Sequence, residues 1–462
     1  MRILFINPSA KNLYGQLGTH LIPLGLAYIS AVLKNEGHQV AVIDLQVEPI
    51  PIETIPFGNY DLVGISSDTP RFNNAVALGR KARALGVPVV FGGYHASFLD
   101  EEPLLKNAAD FVIRGEGEFA MAELVSALER NANIGSIRGL TYRTKKGIAR
   151  NPQSFLIEKL DDLPFPLREI FSLDRYLTVN EGRRITTMVT SRGCPFDCYF
   201  CAASRFAGLR WRTRSIGSII RELEQLVQKG YSYISFMDDN FTLDHRRTID
   251  FCDEIIYRKL NIHWWCFSRV DTIVKHPEMV NKMAMAGNTS VFLGLESGNQ
   301  ATLNHYQKRT TVEQQKAAVR ILKKHNIKVW GSFILGEMHE TKKMIKQTIQ
   351  FARKLNLETC QFSLLTPYPG SRLFQQMESL QQLMTKNWDL FDGLHLVFQN
   401  SNLSAKELQQ LLRKAYFKFY LGISNIPAAL RALLKDTGTF RQMIYNIHLG
   451  MDIIQKLGKD SI

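Results

Sequence analysis

Short apolar runs alternate with amphipathic stretches along the first 150 residues of the chain. The apolar runs, rich in β-branched and aromatic residues, cover residues 2–7, 39–44, 62–67, 87–93 and 111–115. Helical patterns lie between or after them, at residues 24–35, 72–84, 100–107 and 117–129. Continuous apolar strands that alternate with helices predict a parallel sheet covered by helices on both faces.

After a polar, proline-containing stretch (159–176), the alternation resumes. Six further strand-like runs cover residues 184–192, 233–239, 263–269, 290–297, 328–336 and 360–365. Six strand–helix repeats are too few for a closed eight-stranded barrel, so they predict an open, partial one. From about residue 376 onward the alternation is lost and the pattern is helical.

These patterns predict an α/β chain with four parts. A Rossmann-like parallel-sheet domain covers residues 1–150, a linker 151–183, a partial (β/α)6 barrel 184–375 and a helical region 376–462. Within the last part, residues 411–438 are typical of an amphipathic helix that packs on a core and exposes a basic face.

Small and polar residues follow three strands of the first domain, where parallel sheets bind their ligands. GISSDTPRF follows the third strand, GGYHAS the fourth and RGEGE the fifth. One such loop alone is typical of a tight turn, but three on one edge favour a sizeable ligand that approaches the backbone closely. No G-x-G-x-x-G opens the first helix, which argues against a dinucleotide.

Composition and charge exclude some classes of protein. The chain has no run of about 18 apolar residues, which excludes a conventional membrane span. Its N-terminus shows a strand pattern and no signal-peptide pattern, so a cytoplasmic location is predicted. The net charge is +14, of which residues 1–150 contribute only +1. A basic second half is equally typical of nucleic-acid, acidic-protein or anionic-cofactor binding and of a solvated surface.

Three of the six cysteines, Cys194, Cys198 and Cys201, lie within TSRGCPFDCYFCAAS (190–204). Thiolates suit zinc or an iron–sulfur cluster. A structural zinc site needs a fourth ligand at short spacing, and His245 and Cys252 come too late for that, although folding could bring one near. With a four-iron cluster, three thiolates leave one iron open, which is typical of a reactive centre rather than an electron carrier.

The cysteine stretch resembles the signature of the radical SAM enzymes, C-x3-C-x-aromatic-C in the loop after the first strand of a partial barrel. The resemblance implies a [4Fe–4S] cluster that binds S-adenosylmethionine (SAM) and cleaves it to a 5′-deoxyadenosyl radical. It also implies SAM contacts at Phe200, Asp238, Asp239, Arg269, Glu296 and Gly336. For each acid or arginine alone, a solvated or barrel-core ion pair is an equal alternative.

The order of the earlier loops resembles the cobalamin-binding radical SAM enzymes (class B radical SAM methyltransferases), over about residues 1–375. This resemblance implies cobalamin contacts in three loops, at Ser66, Ser67, Asp68, Thr69, Arg71, Gly92, Gly93, Tyr94, His95, Gly115, Glu116, Gly117 and Glu118. The first 150 residues lack D-x-H-x-x-G, so no histidine ligand is expected, and Asp68, Thr69 or Arg71 would face cobalt from below. Asp68 or Thr69 is also typical of a helix N-cap, and His95 of a satisfied loop histidine.

The resemblance implies a methyltransferase acting on an unactivated carbon. One SAM would methylate cobalamin, and a second, cleaved with an electron from a one-electron reductant, would supply the radical. The predicted substrate is a peptide or protein, for example methyl-coenzyme M reductase, since TPYPGSRLF (366–374) and its basic surroundings suit an extended chain. A lipid or pigment reached at a membrane surface, and a cyclisation or rearrangement without methylation, stay open. A non-catalytic iron–sulfur carrier is disfavoured by the polar strand ends, and no nucleic acid is expected because no RNA-binding module is apparent.

Overall fold

Two predominantly parallel sheets organise the protein. The computed structural model describes residues 1–9, 20–176 and 184–420. The first sheet has the order β2-β1-β3-β4-β5-β6-β7. Its strands are β1 (Arg2–Asn7), β2 (Gln39–Asp44), β3 (Leu62–Ser66), β4 (Val89–Gly92), β5 (Phe111–Ile113), β6 (Leu140–Thr144) and β7 (Gly147–Arg150). The strands β1 to β5 are parallel, whereas β6 and β7 form an antiparallel hairpin at the edge.

Helices cover both faces of the first sheet. They are α1 (Leu24–Asn35), α2 (Phe72–Ala84), α3 (Tyr94–Phe98), α4 (Glu102–Leu105) and α5 (Glu118–Glu129). Successive residues of β1 point to opposite faces, so Ile3 and Phe5 join one hydrophobic core and Leu4 and Ile6 the other. This explains why the strands are apolar throughout, and it confirms the predicted doubly covered sheet.

The second sheet, which we call the barrel sheet, has the order β15-β14-β13-β12-β11-β8, with all neighbours parallel. Its strands are β8 (Ile185–Met188), β11 (Tyr233–Phe236), β12 (His263–Ser268), β13 (Asn288–Glu296), β14 (Lys328–Leu335) and β15 (Thr359–Leu364). Spatial order follows chain order, as successive βα units require. The predicted partial (β/α)6 barrel is confirmed.

The run 184–192, predicted as one strand, forms two. After β8 the chain turns, and β9 (Ser191–Arg192) pairs antiparallel with β10 (Arg212–Thr213). The turn is fixed because Thr190 donates hydrogen bonds from its backbone N and its Oγ1 to Asp238, at 2.7 and 2.5 Å. The cysteine loop therefore leaves the barrel through a two-stranded ribbon.

The helices of the second half lie mainly between the barrel strands. They are α6 (Ala203–Phe206), α7 (Ile216–Gln228), α8 (His245–Tyr257), α9 (Val270–Lys275), α10 (Pro277–Met285), α11 (Gln300–His305), α12 (Val312–Lys324), α13 (Lys342–Lys354), α14 (Arg372–Ser379) and α15 (Ala405–Tyr420). No helix in the described part of the chain combines the length and the apolar character that a membrane crossing requires. The cytoplasmic location stays a prediction.

The predicted helical character of residues 376–462 is only partly correct. Helix α15 is present, but most of residues 380–404 are irregular, and residues 421–462 lie outside the described residues. The apolar side chains of the irregular part are not spaced as on a helix. Trp388, Phe391 and Val397 instead enter the core of the first sheet. This segment therefore packs against the first sheet although it follows the barrel in sequence.

Two tyrosines of α15 close the open edge of the barrel sheet. The Tyr420 hydroxyl accepts from Cys360 N at 3.0 Å and donates to Cys360 O at 2.7 Å. The Tyr416 hydroxyl does the same for Phe362, at 3.1 and 2.7 Å. An edge strand otherwise carries unpaired backbone groups. One helical turn separates the two tyrosines, so both hydroxyls reach β15.

We expect Tyr420→Phe to lower the free energy of unfolding by about 1–3 kcal/mol, because it leaves buried backbone groups without a partner. Urea denaturation followed by circular dichroism measures the change. Tyr257→Phe is the matched control, because Tyr257 is 80% exposed, and its stability should not change. Equal stability of the Tyr420 and Tyr257 variants would contradict this account of the edge.

A buried carboxyl group anchors the loop after β14. Glu340 accepts from Gly336 N at 2.8 Å, from Glu337 N at 3.2 Å and from Thr302 Oγ1 at 3.1 Å. Burial raises the pKa of Glu340 from its ordinary value of 4.5 to about 7, and these hydrogen bonds only partly oppose that shift. The loop that carries Gly336 therefore depends on a group that titrates near neutral pH.

A raised folded-state pKa means that the native state binds the proton more tightly than the unfolded state. The contribution of Glu340 to stability is thus complete below about pH 4.5 and falls as the pH rises through 7, by on the order of 3 kcal/mol. We expect the stability of Glu340→Gln relative to the wild type to rise between pH 5 and pH 8. The unfolding free energy of the variant should therefore depend less on pH over this range. Parallel pH profiles for the two proteins would show that Glu340 titrates normally.

Candidate functional site

A cavity of about 370 Å³ lies where the carboxyl ends of β3, β4 and β5 face the start of the cysteine loop. Eight of the residues predicted to contact cobalamin line it: Ser66, Gly92, Gly93, Tyr94, Gly115, Glu116, Gly117 and Glu118. The opposite wall includes Ser191, Arg192, Gly193 and Asp239. The cavity is thus built jointly by the first sheet and the barrel.

Glycine backbone forms much of the cavity wall. At Gly93 the φ angle is +95°, and a Cβ would lie 2.7 Å from the Ser67 carbonyl oxygen, so a side chain does not fit. At Gly25 a Cβ would meet no atom within 4 Å, because this face of α1 is open to the cavity. Backbone and apolar walls of this kind allow a large ligand to lie close to the main chain. The cavity therefore fits the sizeable ligand that the strand-end loops predict.

The loop after β3 is held by its own hydrogen bonds. Asp68 accepts from Arg71 N at 3.2 Å, as expected of a helix N-cap. Arg71 donates to Asn7 Oδ1 at 3.3 Å and to Gln46 Oε1 at 3.0 Å. Asp68, Arg71 and Ser67 are not among the cavity-lining residues, so their cobalamin contacts stay predictions.

His95 and Thr69 are likewise outside the cavity lining. The His95 ring is fully buried, with Nδ1 3.3 Å from Thr69 Oγ1 and Nε2 3.3 Å from Glu102 Oε2. It also stacks on Phe72, with 4.0 Å between ring centroids. Both ring nitrogens have partners, as expected of a satisfied loop histidine.

The three clustered cysteines lie in the loop between β9 and β10. Each is a free thiol, and Cys201 N donates to Cys198 O at 3.0 Å. Burial raises the pKa of Cys194 to about 11 and also raises that of Cys201. Neutral thiols are thus favoured until a metal displaces their protons.

The described residues bring no fourth ligand to this loop from the two candidates in the sequence. His245 stacks on His276, with 3.6 Å between ring centroids. Cys252 is buried in the barrel core, as are Cys266 and Cys360. Of the candidate ligands in the sequence, only the three thiols of this loop are therefore in place to bind a metal centre.

The paired acids after β11 have different surroundings. Asp238 is fully buried and accepts from Thr190 N, Thr190 Oγ1 and Ser191 Oγ at 2.5–2.7 Å. Asp239 accepts from Gly193 N at 3.0 Å and lines the cavity. Burial raises the pKa of Asp239 to about 6. Asp238 thus anchors the turn, and Asp239 is the acid that a ligand can reach.

Arg269 lies against the cysteine loop. Its guanidinium is 3.6 Å from the centroid of the Phe196 ring, and Nη1 is 3.9 Å from Cys198 Sγ. Its Nε donates to Asp271 Oδ1 at 3.0 Å, and Nη2 donates to Lys308 O at 2.9 Å. The predicted SAM residue Arg269 and a predicted cluster cysteine are therefore neighbours.

Glu296 has a buried partner that the sequence does not predict. Lys308 Nζ donates to Glu296 Oε1 at 2.6 Å. A Cβ at Gly294 would lie 2.4 Å from that oxygen, so the pair requires glycine there. Glu296 itself has a φ angle of +63°, which is unfavourable for a residue with a side chain. Lys308 follows a helix in a polar stretch with no motif, so only folding identifies it.

The two other predicted SAM residues pack against protein. Phe200 meets Tyr306 edge to face, with ring centroids 5.2 Å apart. Gly336 has a φ angle of +86°, and a Cβ there would lie 3.2 Å from Leu408 of α15. The structure thus places the predicted SAM residues at successive strand ends around the cysteine loop, and their ligand contacts stay predictions.

Comparisons with known proteins agree with this architecture. Residues 188–352 match the model of the radical SAM superfamily, and residues 11–125 match that of the B12 binding domain. The chain is 34% identical to an uncharacterized methyltransferase of Pyrococcus horikoshii, over 91% of this chain and 93% of that protein. It is 28% identical to the anaerobic magnesium-protoporphyrin IX monomethyl ester cyclase of Rubrivivax gelatinosus, over 91% of this chain and 78% of that protein.

A solved structure shares the fold. The radical S-adenosylmethionine methyltransferase TsrM of Kitasatospora setae, with cobalamin and a [4Fe–4S] cluster bound, superposes with a TM-score of 0.71. The match covers 82% of this chain and 78% of that one, at 20% identity. These matches confirm the predicted enzyme class and its cofactors, which are SAM, a [4Fe–4S] cluster and cobalamin. The chain belongs to the cobalamin-binding radical SAM enzymes, the class B radical SAM methyltransferases.

Proposed function

We propose that the chain moves a methyl group to an unactivated carbon of a planar, largely apolar substrate bound inside the partial barrel. One observation supports the arrangement of the cofactors: the cavity of the first sheet and the cysteine loop share a wall. Arg192 and Gly193 line the cavity of the first sheet, and the next residue, Cys194, begins the cysteine triad. The reaction requires this proximity, because both cofactors must reach one substrate carbon.

In this proposal Cys194, Cys198 and Cys201 hold the cluster, and Asp239, Arg269 and Glu296 orient SAM. The cavity lined by the eight residues of the first domain holds cobalamin. When bound, the cluster would supply an electron, SAM a 5′-deoxyadenosyl radical and cobalamin a methyl group. The residues of the chain position the reactants and exclude water.

An aromatic surface on the barrel sheet supports a planar substrate. Phe267 and Phe292 are cross-strand partners with ring centroids 4.9 Å apart, and Phe292 lies 5.2 Å from Trp330. Trp265 extends the surface, 5.1 Å from Phe267. All four are only half-buried, whereas their neighbours Trp264 and Cys266 lie in the core beneath the helices.

The aromatic surface begins next to the cysteine loop. Phe267 lies in β12, and Arg269 follows the strand with its backbone still extended, so the two side chains point to the same side. Arg269 in turn contacts Cys198. A flat apolar molecule stacked on these rings would therefore present an edge to the region of the cluster. Aromatic stacking of this kind contributes about 0.5–1.5 kcal/mol per ring pair beyond area burial.

The comparison with the magnesium-protoporphyrin cyclase also favours a planar substrate. That protein acts, by its name, on a porphyrin ester, which is a flat aromatic ring system. The predicted peptide or protein substrate, such as methyl-coenzyme M reductase, is based on TPYPGSRLF (366–374) and its basic surroundings, but Leu373 and Phe374 of that stretch are buried in the protein. Further along the chain, the described helix α15 packs on the barrel edge. The peptide proposal therefore has less support than the planar one.

Anaerobic reconstitution with iron, sulfide and cobalamin, followed by SAM and a one-electron donor, tests the cofactor assignment. Mass analysis should find both 5′-deoxyadenosine and S-adenosylhomocysteine once a substrate is present. We expect Cys198→Ala to lose the cluster and at least 100-fold of the 5′-deoxyadenosine rate, since a three-thiolate site has no spare ligand. Cys252→Ala is the matched control and should keep its iron. A full cluster in Cys198→Ala would refute the assignment.

Product mass also separates the two activities open to this family. Methyl transfer adds one methyl group to the substrate and releases S-adenosylhomocysteine. A cyclase forms 5′-deoxyadenosine without S-adenosylhomocysteine. The second result, with cobalamin bound, would replace methyl transfer by cyclisation.

For the substrate surface we expect Phe292→Ala to weaken binding of a planar probe, protoporphyrin IX, by about tenfold, which corresponds to one stacking contact and its buried area. Fluorescence quenching of the reconstituted protein measures this affinity. Phe155→Ala is the control, since Phe155 is 75% exposed and lies far from the barrel strands in sequence. Equal weakening by both variants, or no binding by the wild type, would count against a planar substrate.

A further inference from the structure

The ribbon at the neck of the cysteine loop contains two arginines directly opposite each other. Arg192 of β9 and Arg212 of β10 are cross-strand partners, and residues 193–211 between them carry all three clustered cysteines. The side chains of Arg192 and Arg212 are 18% and 4% exposed. Like charges opposite each other destabilise a strand pair, and burial makes that repulsion stronger. The neck therefore needs counter-charges.

The counter-charges come from the loop after β5 and from the start of α5. Glu116 accepts from Arg192 Nη1 at 3.0 Å and from both terminal nitrogens of Arg212, at 2.7 and 3.0 Å. Glu118 accepts from Arg192 Nη2 at 2.6 Å. Two carboxylates thus neutralise two guanidinium groups, and bidentate pairs such as Glu116–Arg212 also fix orientation.

The pairing is strong enough to keep Glu116 ionised. Burial opposes the ionisation, but the hydrogen bond from Arg212 and the charges of Arg192 and Arg212 outweigh it and lower the pKa of Glu116. Glu116 also accepts from Ile157 N at 2.7 Å. Removing one partner of a buried pair leaves an uncompensated charge, which is far more costly than losing an exposed pair.

The same side chains line the cavity of the first sheet. Glu116, Glu118, Arg192 and Arg212 all belong to its wall. Arg192 also lies over the ring of Tyr28 from α1, with 5.2 Å to the ring centroid, and Tyr28 lines the cavity as well. The neck of the cysteine loop and the wall of the cavity are therefore one buried charge cluster.

We infer that Glu116 and Glu118 are positioning residues that couple the two cofactor sites. By neutralising Arg192 and Arg212, they hold the neck of the cysteine loop against the cobalamin cavity. A ligand that fills the cavity then stabilises the neck, and an assembled cluster stabilises the cavity wall. Such coupling is reciprocal, so each cofactor tightens the binding of the other by the same factor. This inference rests on the proposed cofactor arrangement.

The test measures cluster loss rather than turnover. Reconstituted protein, with and without hydroxocobalamin, is exposed to an iron chelator, and the decay of cluster absorbance is followed. We expect cobalamin to slow cluster loss in the wild type by on the order of fivefold or more, within the usual range of coupling between sites. In Glu116→Gln the cluster still assembles, but hydroxocobalamin, added until its absorbance shift shows that the variant is saturated, should protect the cluster less than twofold.

Glu158→Gln is the matched control. Glu158 binds Arg210 of the same loop through two hydrogen bonds, at 2.6 and 2.9 Å, but both side chains are more than half exposed. We expect wild-type protection in this variant, because exposed ion pairs contribute little. If Glu116→Gln assembles no cluster, Glu118→Gln, which loses only one hydrogen bond, replaces it and should show partial loss of protection.

The outcomes separate the coupling from the proposed function. Undiminished protection in Glu116→Gln, or in Glu118→Gln where that variant replaces it, would overturn the coupling, and so would equal loss in Glu158→Gln. Unprotected clusters in a wild type that binds cobalamin, seen by its absorbance shift, would overturn the coupling and leave the proposed function intact. A wild type that binds no cobalamin would overturn the proposed function and the inference together.

Discussion

Two arginines cannot be buried side by side without two carboxylates to neutralise them, and much of the site depends on this constraint. Arg192 and Arg212 form the neck of the cysteine loop, but their carboxylate partners Glu116 and Glu118 lie in the first domain, in the loop after β5 and at the start of α5. The neck is therefore stable only when the two sheets are docked. The ion pairs of the β9–β10 ribbon thus fix the position of the cysteine loop relative to the cavity. The secondary-structure propensities of the loop residues do not determine that position.

The end of the described chain holds the two sheets together from the other side. Trp388 enters the core of the first sheet and donates its indole N–H to Glu102 at 2.9 Å. Further along the chain, Tyr416 and Tyr420 of α15 form hydrogen bonds with the edge strand of the barrel sheet. One segment therefore contributes to both cores. Relative motion of the two sheets would therefore have to break buried packing as well as the ion pairs.

The sequence predicts what depends on periodicity and misses what depends on long-range pairing. The parallel strands of both sheets could be predicted because each is buried on both sides and reads as a continuous apolar run. The hairpin β6–β7 was missed because its strands are short, polar and partly exposed. The arginine neck was missed for another reason: Arg192 and Arg212 are ordinary basic residues until folding brings Glu116 between them. Lys308 likewise acquires a role only beside Glu296.

Family motifs predicted eight of the residues that line the cavity of the first sheet but could not predict how each side chain is paired. Asp238 and Asp239 are identical in type and adjacent, yet hydrogen bonds from Thr190 and Ser191 occupy Asp238, whereas Asp239 lines the cavity. The RGEGE loop divides in the same way, because its two carboxylates bind arginines while Gly115 and Gly117 line the cavity with backbone. A charged residue in a motif can therefore be part of the frame instead of a ligand contact. In this cavity, the acids mainly build the wall, and the glycines make room for what it encloses.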